Sequence, residues 1–353
     1  MSAAVLGVMT GVPPMRFTQE EITERFLARL GGERRRERAI RLIFERAGVK
    51  SRYSVVDHRF YAEDHTTQTR NDRYMQEAVP LGEETIRRGL DAAGVSPQEI
   101  DDLIVVSCTG ISVPGLDLHL AARLGMRHDL RRTGVLGMGC YGAFPGMLRA
   151  RDAVTSNPER LALVLALELC SLHLQLNDTA ENVVSSALFS DGASMALIGG
   201  DTRRKANIAS PRIIDAQTYC DYTTLEHMTF SLTDHGFRMY LSSYVPDLLA
   251  TQIEGFIDTL LRRNDLKRDS VRFWGIHPGS AKIVDYVQQR LGLADAQVEH
   301  SHAVLGEYGN MSSATILFVL DRIQTCGQPS PGDYGVLMAF GPGLTMEGML
   351  VRW

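Results

Sequence analysis

The sequence predicts an α/β fold built from two similar halves, and three observations support this prediction. Apolar segments typical of buried strands alternate along the chain with amphipathic segments typical of helices. Short motifs of the first half recur in the second half at a nearly constant offset. The chain has 353 residues, 44% of them hydrophobic and 22% charged, which is enough for two units with large cores. We assign residues 1–205 to an N-terminal half and residues 206–353 to a C-terminal half.

The predicted elements alternate between strand and helix. Residues 1–14 contain a short apolar run and no basic leader, so they are expected to form a first strand and not a signal peptide. The clearest buried strands are "DLIVVSC" (102–108), "LALVLALEL" (161–169) and "ASMALIGG" (193–200), and helices are expected over "DLHLAARLG" (117–125) and after Cys140. Helices that alternate with such strands cover the faces of a sheet.

The internal repeat joins segments that are far apart in the chain. "VLGMGC" (135–140) is echoed by "VLGEYGN" (304–310), an offset of 169 residues at the first position. The same offset relates Cys108 to His277, each expected at the end of a strand. Two related halves place equivalent loops against each other, and α/β sheets build their sites at the carboxyl ends of strands. Cys140, His277 and Asn310 are therefore expected to converge.

Composition excludes several classes of protein. The net charge is −5 and the pI about 6.1, so a nucleic-acid partner is not expected. The five cysteines are widely spaced and form no CxxC pair, so neither a disulfide framework nor a metal site is expected. Reduced thiols indicate a cytoplasmic protein. No apolar run is long enough to span a membrane.

Cys140 has the setting of a nucleophile. Gly137, Gly139 and Gly142 indicate a sharp turn between a strand and a helix. A thiol at the start of a helix is expected to have a lowered pKa, although a buried structural cysteine beside a tight turn fits the same pattern. A thiolate can hold an acyl group as a thioester, and an imidazole and an amide can stabilise an oxyanion or enolate. Amide hydrolysis by a Cys-His-Asn protease would use the same residue types, but the duplicated architecture argues against it.

Five motifs carry a resemblance to a known family. They are "GCYGAFPG" (139–146), "ALFSDGA" (187–193), "WGIHPGS" (274–280), "EYGNMSSA" (307–314) and "AFGPGLT" (339–345). In order and spacing they resemble the motifs of the chalcone synthase family, the type III polyketide synthases, and the bacterial members more than the plant ones.

The resemblance implies a fold, a reaction and partners. The fold would be the thiolase fold, with duplicated α/β halves in five layers, αβαβα, and the protein would be a homodimer. The enzyme, an acyltransferase, would condense malonyl-CoA repeatedly onto an acyl-CoA starter by decarboxylative Claisen reactions. It would then cyclise the chain to a pyrone or a phenolic product. No metal or redox cofactor is implied, only CoA thioesters as substrates.

The resemblance also assigns roles to residues. Cys140 would carry the acyl group, and His277 and Asn310 would stabilise the thiolate, enolate and oxyanions. Phe189 matches a gate residue at the entrance of the cavity, and the second gate is either Met239 or Phe237. The other positions assigned to the substrate cavity are Cys108, Cys170, His173, Phe230, Ser312, Gly341 and Pro342. CoA is assigned to Arg41 and Arg46, which would hold its phosphates, and to Lys282, which matches a position near the pantetheine. The family's spacing of basic residues is not kept, because Leu42 stands at one basic position.

Departures from the family pattern leave the product open. Cys108 and Cys170 match cysteines of enzymes that resemble tetrahydroxynaphthalene synthases. His173 and Phe230 stand where plant members have smaller residues, so the cavity is expected to be remodelled. Phe230 could form a wall that favours malonyl or short acyl starters, or it could turn aside and open a tunnel for a long fatty acyl chain. The alternative activity is that of a ketoacyl-acyl carrier protein synthase III, which lacks the motifs "GNMSSA" and "FGPG".

Overall fold

The computed structural model describes residues 3–31, 33–177, 179–203, 210–241 and 245–353. The first part of the chain contains β1 (Ala3–Gly11), β2 (Met15–Thr18), α1 (Gln19–Leu30), α2 (Arg34–Arg46), β3 (Ser51–Ser54), α3 (Thr67–Ala93), β4 (Asp102–Ser107), α4 (Leu116–Leu124), β5 (Arg131–Leu136), α5 (Ala143–Ser156), β6 (Leu161–Leu169), α6 (Ala180–Leu188) and β7 (Asp191–Gly200). The predicted boundary between residues 205 and 206 lies outside the described residues.

The second part of the chain repeats the alternation of strands and helices. It contains β8 (Arg212–Cys220), β9 (Met228–Thr233), β10 (Gly236–Leu241), α7 (Val245–Arg262), β11 (Val271–Ile276), α8 (Ala281–Leu291), α9 (Asp295–Tyr308), α10 (Thr315–Cys326), β12 (Tyr334–Gly341) and β13 (Thr345–Arg352). The strands and helices predicted from the sequence are present in the structure, and β6 has the predicted bounds.

The main strands form one nine-stranded sheet that consists of two sections. Its order is β11-β12-β13-β8-β1-β7-β6-β4-β5, and the sections meet where Ala4 of β1 pairs with Arg212 of β8. In the first section β4 runs parallel to β5 and β6, and in the second β11 runs parallel to β12. The carboxyl ends of β4, β5 and β11 are followed by residues 108, 140 and 277, so the sheet positions the predicted site.

Helices pack on both faces of each section, giving five layers. The central layer is α5 and α10, whose residues Phe144 and Phe318 belong to one apolar cluster with Val106 of β4 and Leu337 of β12. The outer layers are α3 and α4 on the first section and α7 and α8 on the second. All nine residues of β6 are buried because helices cover both of its faces. The predicted αβαβα arrangement is confirmed.

The repeat is real but imperfect. β4 and β11 both end one residue before the predicted polar position, and α5 and α10 both follow a short turn that carries a predicted catalytic residue. Val135 lies in strand β5, however, whereas its counterpart Val304 lies in helix α9. The second section consequently has four strands among the described residues and no equivalent of β5. The shared letters "VLG" therefore do not mean shared secondary structure.

Among the residues that the structure describes, no helix combines the length and apolar character needed to cross a bilayer.

Candidate active site

Cys140 lies in a one-turn helix, residues 139–141, between β5 and α5. Gly139 has a φ of 68°, and a Cβ atom placed there would come within 2.7 Å of Cδ of Pro342. Only glycine meets both demands at low cost. The turn that carries Cys140 therefore packs at Gly139 against Pro342, in the loop after β12.

His277 follows directly after β11. Its backbone N–H donates to the carbonyl of Met338 at 2.8 Å, which fixes the residue at the end of the sheet. The imidazole is 2% exposed, and neither ring nitrogen has a hydrogen-bond partner among the described residues. A buried imidazole with both nitrogens free is poised to bond a group that enters the site.

Asn310 is held by bonds on both sides of its side chain. Its Nδ2 donates to the carbonyl of Gly279 at 3.1 Å, and its Oδ1 accepts from the N–H of Ser312 at 2.8 Å. Ser312 has a φ of 48°, which costs a non-glycine residue on the order of 1 kcal/mol. That conformation brings the Ser312 hydroxyl to 3.7 Å from Sγ of Cys140.

Cys140, His277 and Asn310, called here the triad, line one cavity. This triad cavity spans about 490 Å³ of space that is partly open to solvent, and its wall also contains Phe189 and Met239. The three residues come from three separate turns, in the first and second halves of the chain. The structure therefore brings together the side chains that the repeat places at equivalent strand ends.

Burial controls the charge of the triad. It raises the pKa of the Cys140 thiol to about 11, although the side chains of Ser312 and Asn310 lower it. It also lowers the pKa of His277 to about 3. The expectation that the helix start alone lowers the thiol pKa is wrong, because desolvation is the larger effect. Because each charge is costly alone in this buried site, we expect the Cys140 thiolate to form together with the imidazolium of His277.

Removing the imidazole should therefore slow alkylation of the thiol. In His277→Ala we expect iodoacetamide to modify Cys140 at pH 7 at least about tenfold more slowly than in wild type. Because the raised thiol pKa reduces the thiolate fraction at neutral pH, the rate should recover as pH rises towards 11. Peptide mass spectrometry measures the rate at Cys140, with the exposed Cys326 as an internal reference. Equal rates at pH 7 would contradict the role of His277.

A larger apolar cavity adjoins the triad cavity. This main cavity spans about 680 Å³ of space that is partly open to solvent, and it shares Cys140, Phe189 and Met239 with the triad cavity. The predicted residues that line it are Cys108, Cys170, His173, Phe189, Phe230, Phe237, Met239, Ser312 and Pro342. Gly341 lies behind the surface, where a Cβ atom would be 2.5 Å from the ring of Tyr141.

An aromatic cluster forms one wall of the main cavity. The rings of Phe230 and Phe237 stack with centroids 4.8 Å apart, and His173 meets Phe237 edge-on at 4.9 Å. His173 donates from Nε2 to the carbonyl of Thr109 at 2.7 Å and accepts at Nδ1 from the N–H of Phe237 at 3.2 Å. Burial lowers the pKa of His173 to about 4, so the ring is neutral near pH 7.

Beyond this wall lies a second space, called here the outer cavity. It encloses about 1340 Å³ of partly open space, and the aromatic cluster lines both it and the main cavity. Residues of α3 such as Gln68 and Asn71 line its far side. The aromatic cluster therefore separates the two spaces.

A buried carboxylate, Glu168, supports the cavity floor. It accepts from the hydroxyls of Ser313 at 2.5 Å and Thr109 at 2.7 Å, and from the N–H of Cys108 at 3.0 Å. Burial raises its pKa, whereas these bonds lower it. Cys108 joins this network to the triad, because its Sγ is 3.6 Å from the Ser312 hydroxyl.

The three basic residues assigned to CoA line none of the cavities described above. Arg41 on α2 is exposed and forms a two-pronged ion pair with Glu24 of α1. Lys282 is exposed in the first turn of α8, with its Nζ 5.6 Å from the ring centre of Tyr286. Arg46 is exposed at the end of α2.

Sequence reasoning missed part of the cavity wall. The missed residues that line the main cavity are Thr109, Leu174, Gln175, Asn182, Ser185, Met228, Thr229 and Arg238. They come mainly from α6 and from the hairpin β9–β10, whose register pairs Phe230 with Met239. The one available signal was the regular alternation along β9, which places the missed residue 228 on the same face as the predicted residue 230.

Comparison with known proteins matches both halves of the chain. A sequence model of the N-terminal domain of chalcone and stilbene synthases matches residues 1–202, and that of the C-terminal domain matches residues 214–353.

Individual proteins match over nearly the whole chain. A 1,3,6,8-tetrahydroxynaphthalene synthase of Streptomyces peucetius subsp. caesius is 35% identical over 99% of this chain and 93% of its own length. The alpha-pyrone synthesis polyketide synthase-like Pks18 of Mycobacterium tuberculosis is 28% identical over 99% of this chain and 90% of its own length. The crystal structure of PKS-I from the brown alga Ectocarpus siliculosus superposes with a TM-score of 0.93, at 31% identity, covering 99% of this chain and 98% of that one.

Proposed function

The chain belongs to the chalcone and stilbene synthase family, as a bacterial type III polyketide synthase with the thiolase-like fold, and on that premise we propose how its site works. It is a condensing enzyme of the acyltransferase class. The proposed reaction is iterative extension of a CoA-linked starter with malonyl-CoA, followed by cyclisation. The observation that carries the proposal is that the triad converges in one cavity beside a larger apolar one.

The proposed steps use the triad in turn. Cys140 attacks the starter thioester, a carbon–sulfur bond forms, and CoA leaves with the proton. Malonyl-CoA then loses CO₂, and His277 and Asn310 donate hydrogen bonds to the enolate oxygen that forms. The enolate carbon attacks the acyl group on Cys140 and releases the thiolate, which leaves a chain two carbons longer on CoA.

The entrance to the main cavity supports a role for Met239 as the second gate. Phe189 and Met239 line both the triad cavity and the main cavity. Phe237 lines the main cavity and the outer cavity but not the triad cavity. We therefore assign the pair Phe189 and Met239 to the passage between the two spaces, and Phe237 to the aromatic wall.

The aromatic wall supports a small starter, malonyl or a short acyl group. The stacked rings of Phe230 and Phe237 stand between the main cavity and the outer cavity and limit the length of chain the main cavity can hold. A long fatty acyl starter with a pyrone product is the second candidate. It is favoured by the outer cavity, which could take a long chain if the rings turned aside.

Removing the Phe230 ring should change starter preference. In Phe230→Gly we expect kcat/KM to shift towards longer starter CoAs by about tenfold, because the loss of a buried ring opens substantial volume. Phe230→Leu, which keeps an apolar side chain, should shift the preference less. Competition between starter CoAs of graded length, with products identified by mass spectrometry, measures the shift. An unchanged length profile in Phe230→Gly would show that the ring does not limit the starter.

The carrier-protein alternative receives no support from the family matches. Its test is a comparison of malonyl-CoA with malonyl-acyl carrier protein as the extender donor. We expect turnover with malonyl-CoA alone. Turnover that requires the carrier protein would overturn the proposed substrate class.

A homodimer is the proposed assembly. Strand β5 is one of the two edge strands of the nine-stranded sheet, and edge strands are usually protected in soluble proteins. Large apolar side chains are exposed on and next to this edge, at Ile111, Val113, Leu118, Leu136 and Met138. Such a concentration of exposed apolar surface is typical of an association site.

Charged residues at this edge should therefore dissociate the dimer. We expect light scattering after gel filtration to give wild type twice the chain mass of 39.1 kDa, and Leu136→Glu and Val113→Glu a single chain mass. Leu225→Glu, at another exposed apolar residue, is the matched control and should remain dimeric. A monomeric wild type would refute the proposed assembly.

Two further expectations stay proposals. We propose that CoA thioesters are the only small molecules required, without a metal or redox cofactor, and that the protein works in the cytoplasm. Activity that survives extensive treatment with a chelator would support the first.

A further inference from the structure

A fourth cavity, called here the rear cavity, is lined by Phe189 but not by Cys140. This rear cavity encloses about 1340 Å³ of space that is partly open to solvent. Its walls are α1, the two-stranded antiparallel sheet of β2 and β3, residues 56–62 and 171–176, and the end of α6. Leu174 and Phe189 line both the rear cavity and the main cavity, whereas no triad residue lines the rear cavity.

The rear cavity contains a buried cation that lacks a counter-charge. Arg52 is 3% exposed, and its guanidinium donates to the carbonyls of Ser186 at 2.6 Å, Ala187 at 2.9 Å and Phe189 at 3.1 Å, and to the side chain of Gln19. All these acceptors are neutral. Burial lowers the pKa of Arg52 to about 9, so the group still carries its charge near pH 7. An uncompensated buried charge is costly.

Two polar atoms of this wall have unused hydrogen-bonding capacity. Nε of Arg52 and Oγ of Ser186 are both buried and have no partner among the described residues. Buried polar atoms without partners are rare in folded proteins. The one acidic residue among the rear-cavity residues, Asp57, is engaged by Arg59 at 2.6 Å and lies at the rim. The polar part of the cavity is therefore short of negative charge.

The rest of the rear cavity is apolar with a basic rim. Arg25 and Arg29 are exposed residues of α1 that line the opening. The apolar residues that line the interior are Phe17, Ile22, Phe26, Val56, Leu174, Leu176 and Phe189. Apolar walls with a few convergent polar groups are the usual composition of a small-molecule site.

We infer that the rear cavity is a second binding site, for an amphipathic monocarboxylate. Its hydrocarbon or aromatic body fills the apolar part, and its carboxylate is held by the guanidinium of Arg52, with Arg25 and Arg29 adding positive charge at the opening. Arginine suits this ligand because its planar group matches a carboxylate. The site is separate from the triad, and its ligand forms no covalent bond.

Occupancy of this site has a consequence for the gate, which rests on the proposed function. Arg52 satisfies the last carbonyls of α6 and the carbonyl of Phe189, so it fixes the backbone that carries the gate ring. A carboxylate that draws on this guanidinium, together with a body packed on Phe189, changes the position of the ring. We expect the ligand to lower kcat without raising the KM for acyl-CoA, because it does not compete for the triad.

Decanoate, below its micelle concentration, is the probe for a binding test on the full chain. Isothermal titration should show one saturable site in wild type. Arg25→Glu and Arg29→Glu should each weaken binding at least about tenfold, since each replaces attraction at the rim by repulsion. Arg35 is an exposed residue of α2 that does not line the rear cavity. Arg35→Glu makes the same charge change there, and this variant should bind decanoate as wild type does. Decanol, which lacks the charge, should also bind at least about tenfold more weakly than decanoate.

A photoreactive decanoate with a diazirine near its far end locates the site independently of activity. Cross-links on peptides of residues 19–30 or 171–176 are expected. Cross-links confined to residues 228–239, which line the main cavity, would overturn the proposal, as would equal affinity for Arg25→Glu and wild type. If the enzyme makes no polyketide but the binding pattern holds, the proposed function fails and the rear site stands.

Discussion

Cys140→Ala is expected to abolish both loading of the starter and formation of any polyketide. The alanine cannot form the thioester on which the growing chain depends. Cys108, which like Cys140 contacts the hydroxyl of Ser312, is not expected to substitute for it. The thiol of Cys108 donates a hydrogen bond to the carboxylate of Glu168. Burial, and the negative charge of Glu168, raise the pKa of this thiol well above its usual value. Mass spectrometry of the intact protein after incubation with acyl-CoA should show one adduct on wild type and none on the variant.

The matched control is Cys326→Ala, which removes an exposed cysteine at the end of α10. It should load starter as wild type does. A circular dichroism melt of Cys140→Ala should match wild type, which separates loss of the nucleophile from loss of the fold. An adduct of unchanged mass and yield on Cys140→Ala would remove Cys140 from the mechanism.

Asn310→Asp and His277→Ala are expected to reduce decarboxylation of malonyl-CoA by about a hundred- to a thousand-fold, the usual cost of losing one oxyanion donor. In Asn310→Asp the amide donor becomes a carboxylate, which repels the enolate. In His277→Ala the buried ring, with both nitrogens free, is lost altogether. Release of labelled CO₂ from malonyl-CoA, measured without starter, isolates this step from starter loading.

Asn157→Asp is the control for the amide-to-carboxylate change, because Asn157 is exposed at the end of α5. It should release CO₂ at the wild-type rate. Normal CO₂ release by either Asn310→Asp or His277→Ala would contradict the enolate role of that residue.

The parts of the fold that were predictable are those set by local pattern. The nine apolar residues of β6 specify a strand buried on both faces, and its bounds agree with the prediction. The offset between Cys108 and His277 correctly related the ends of β4 and β11. The echo of Val135 in Val304 failed because a short apolar motif fits a strand end and a helix equally well. Tertiary packing against β11 decides for helix α9 in the second half.

The parts of the site that were not predictable depend on tertiary register. The stacking of Phe230 on Phe237 follows from the turn between Thr233 and Gly236, which sets the pairing of β9 with β10. Pairing of Arg41 with Glu24 follows from docking of α2 on α1, which composition does not reveal. The thiol pKa of Cys140 depends on burial by residues distant in sequence, so the local helix-start argument gave the wrong direction.

The most direct test of the central claim is the mass of the products made by the wild-type enzyme from uniformly ¹³C-labelled malonyl-CoA and a panel of acyl-CoA starters of graded length. Each extension should add two labelled carbons and release one labelled CO₂, and short starters should give the highest yield. Absence of any product with whole two-carbon labelled increments, while the folded protein binds malonyl-CoA, would contradict the claim that this site is a condensing centre.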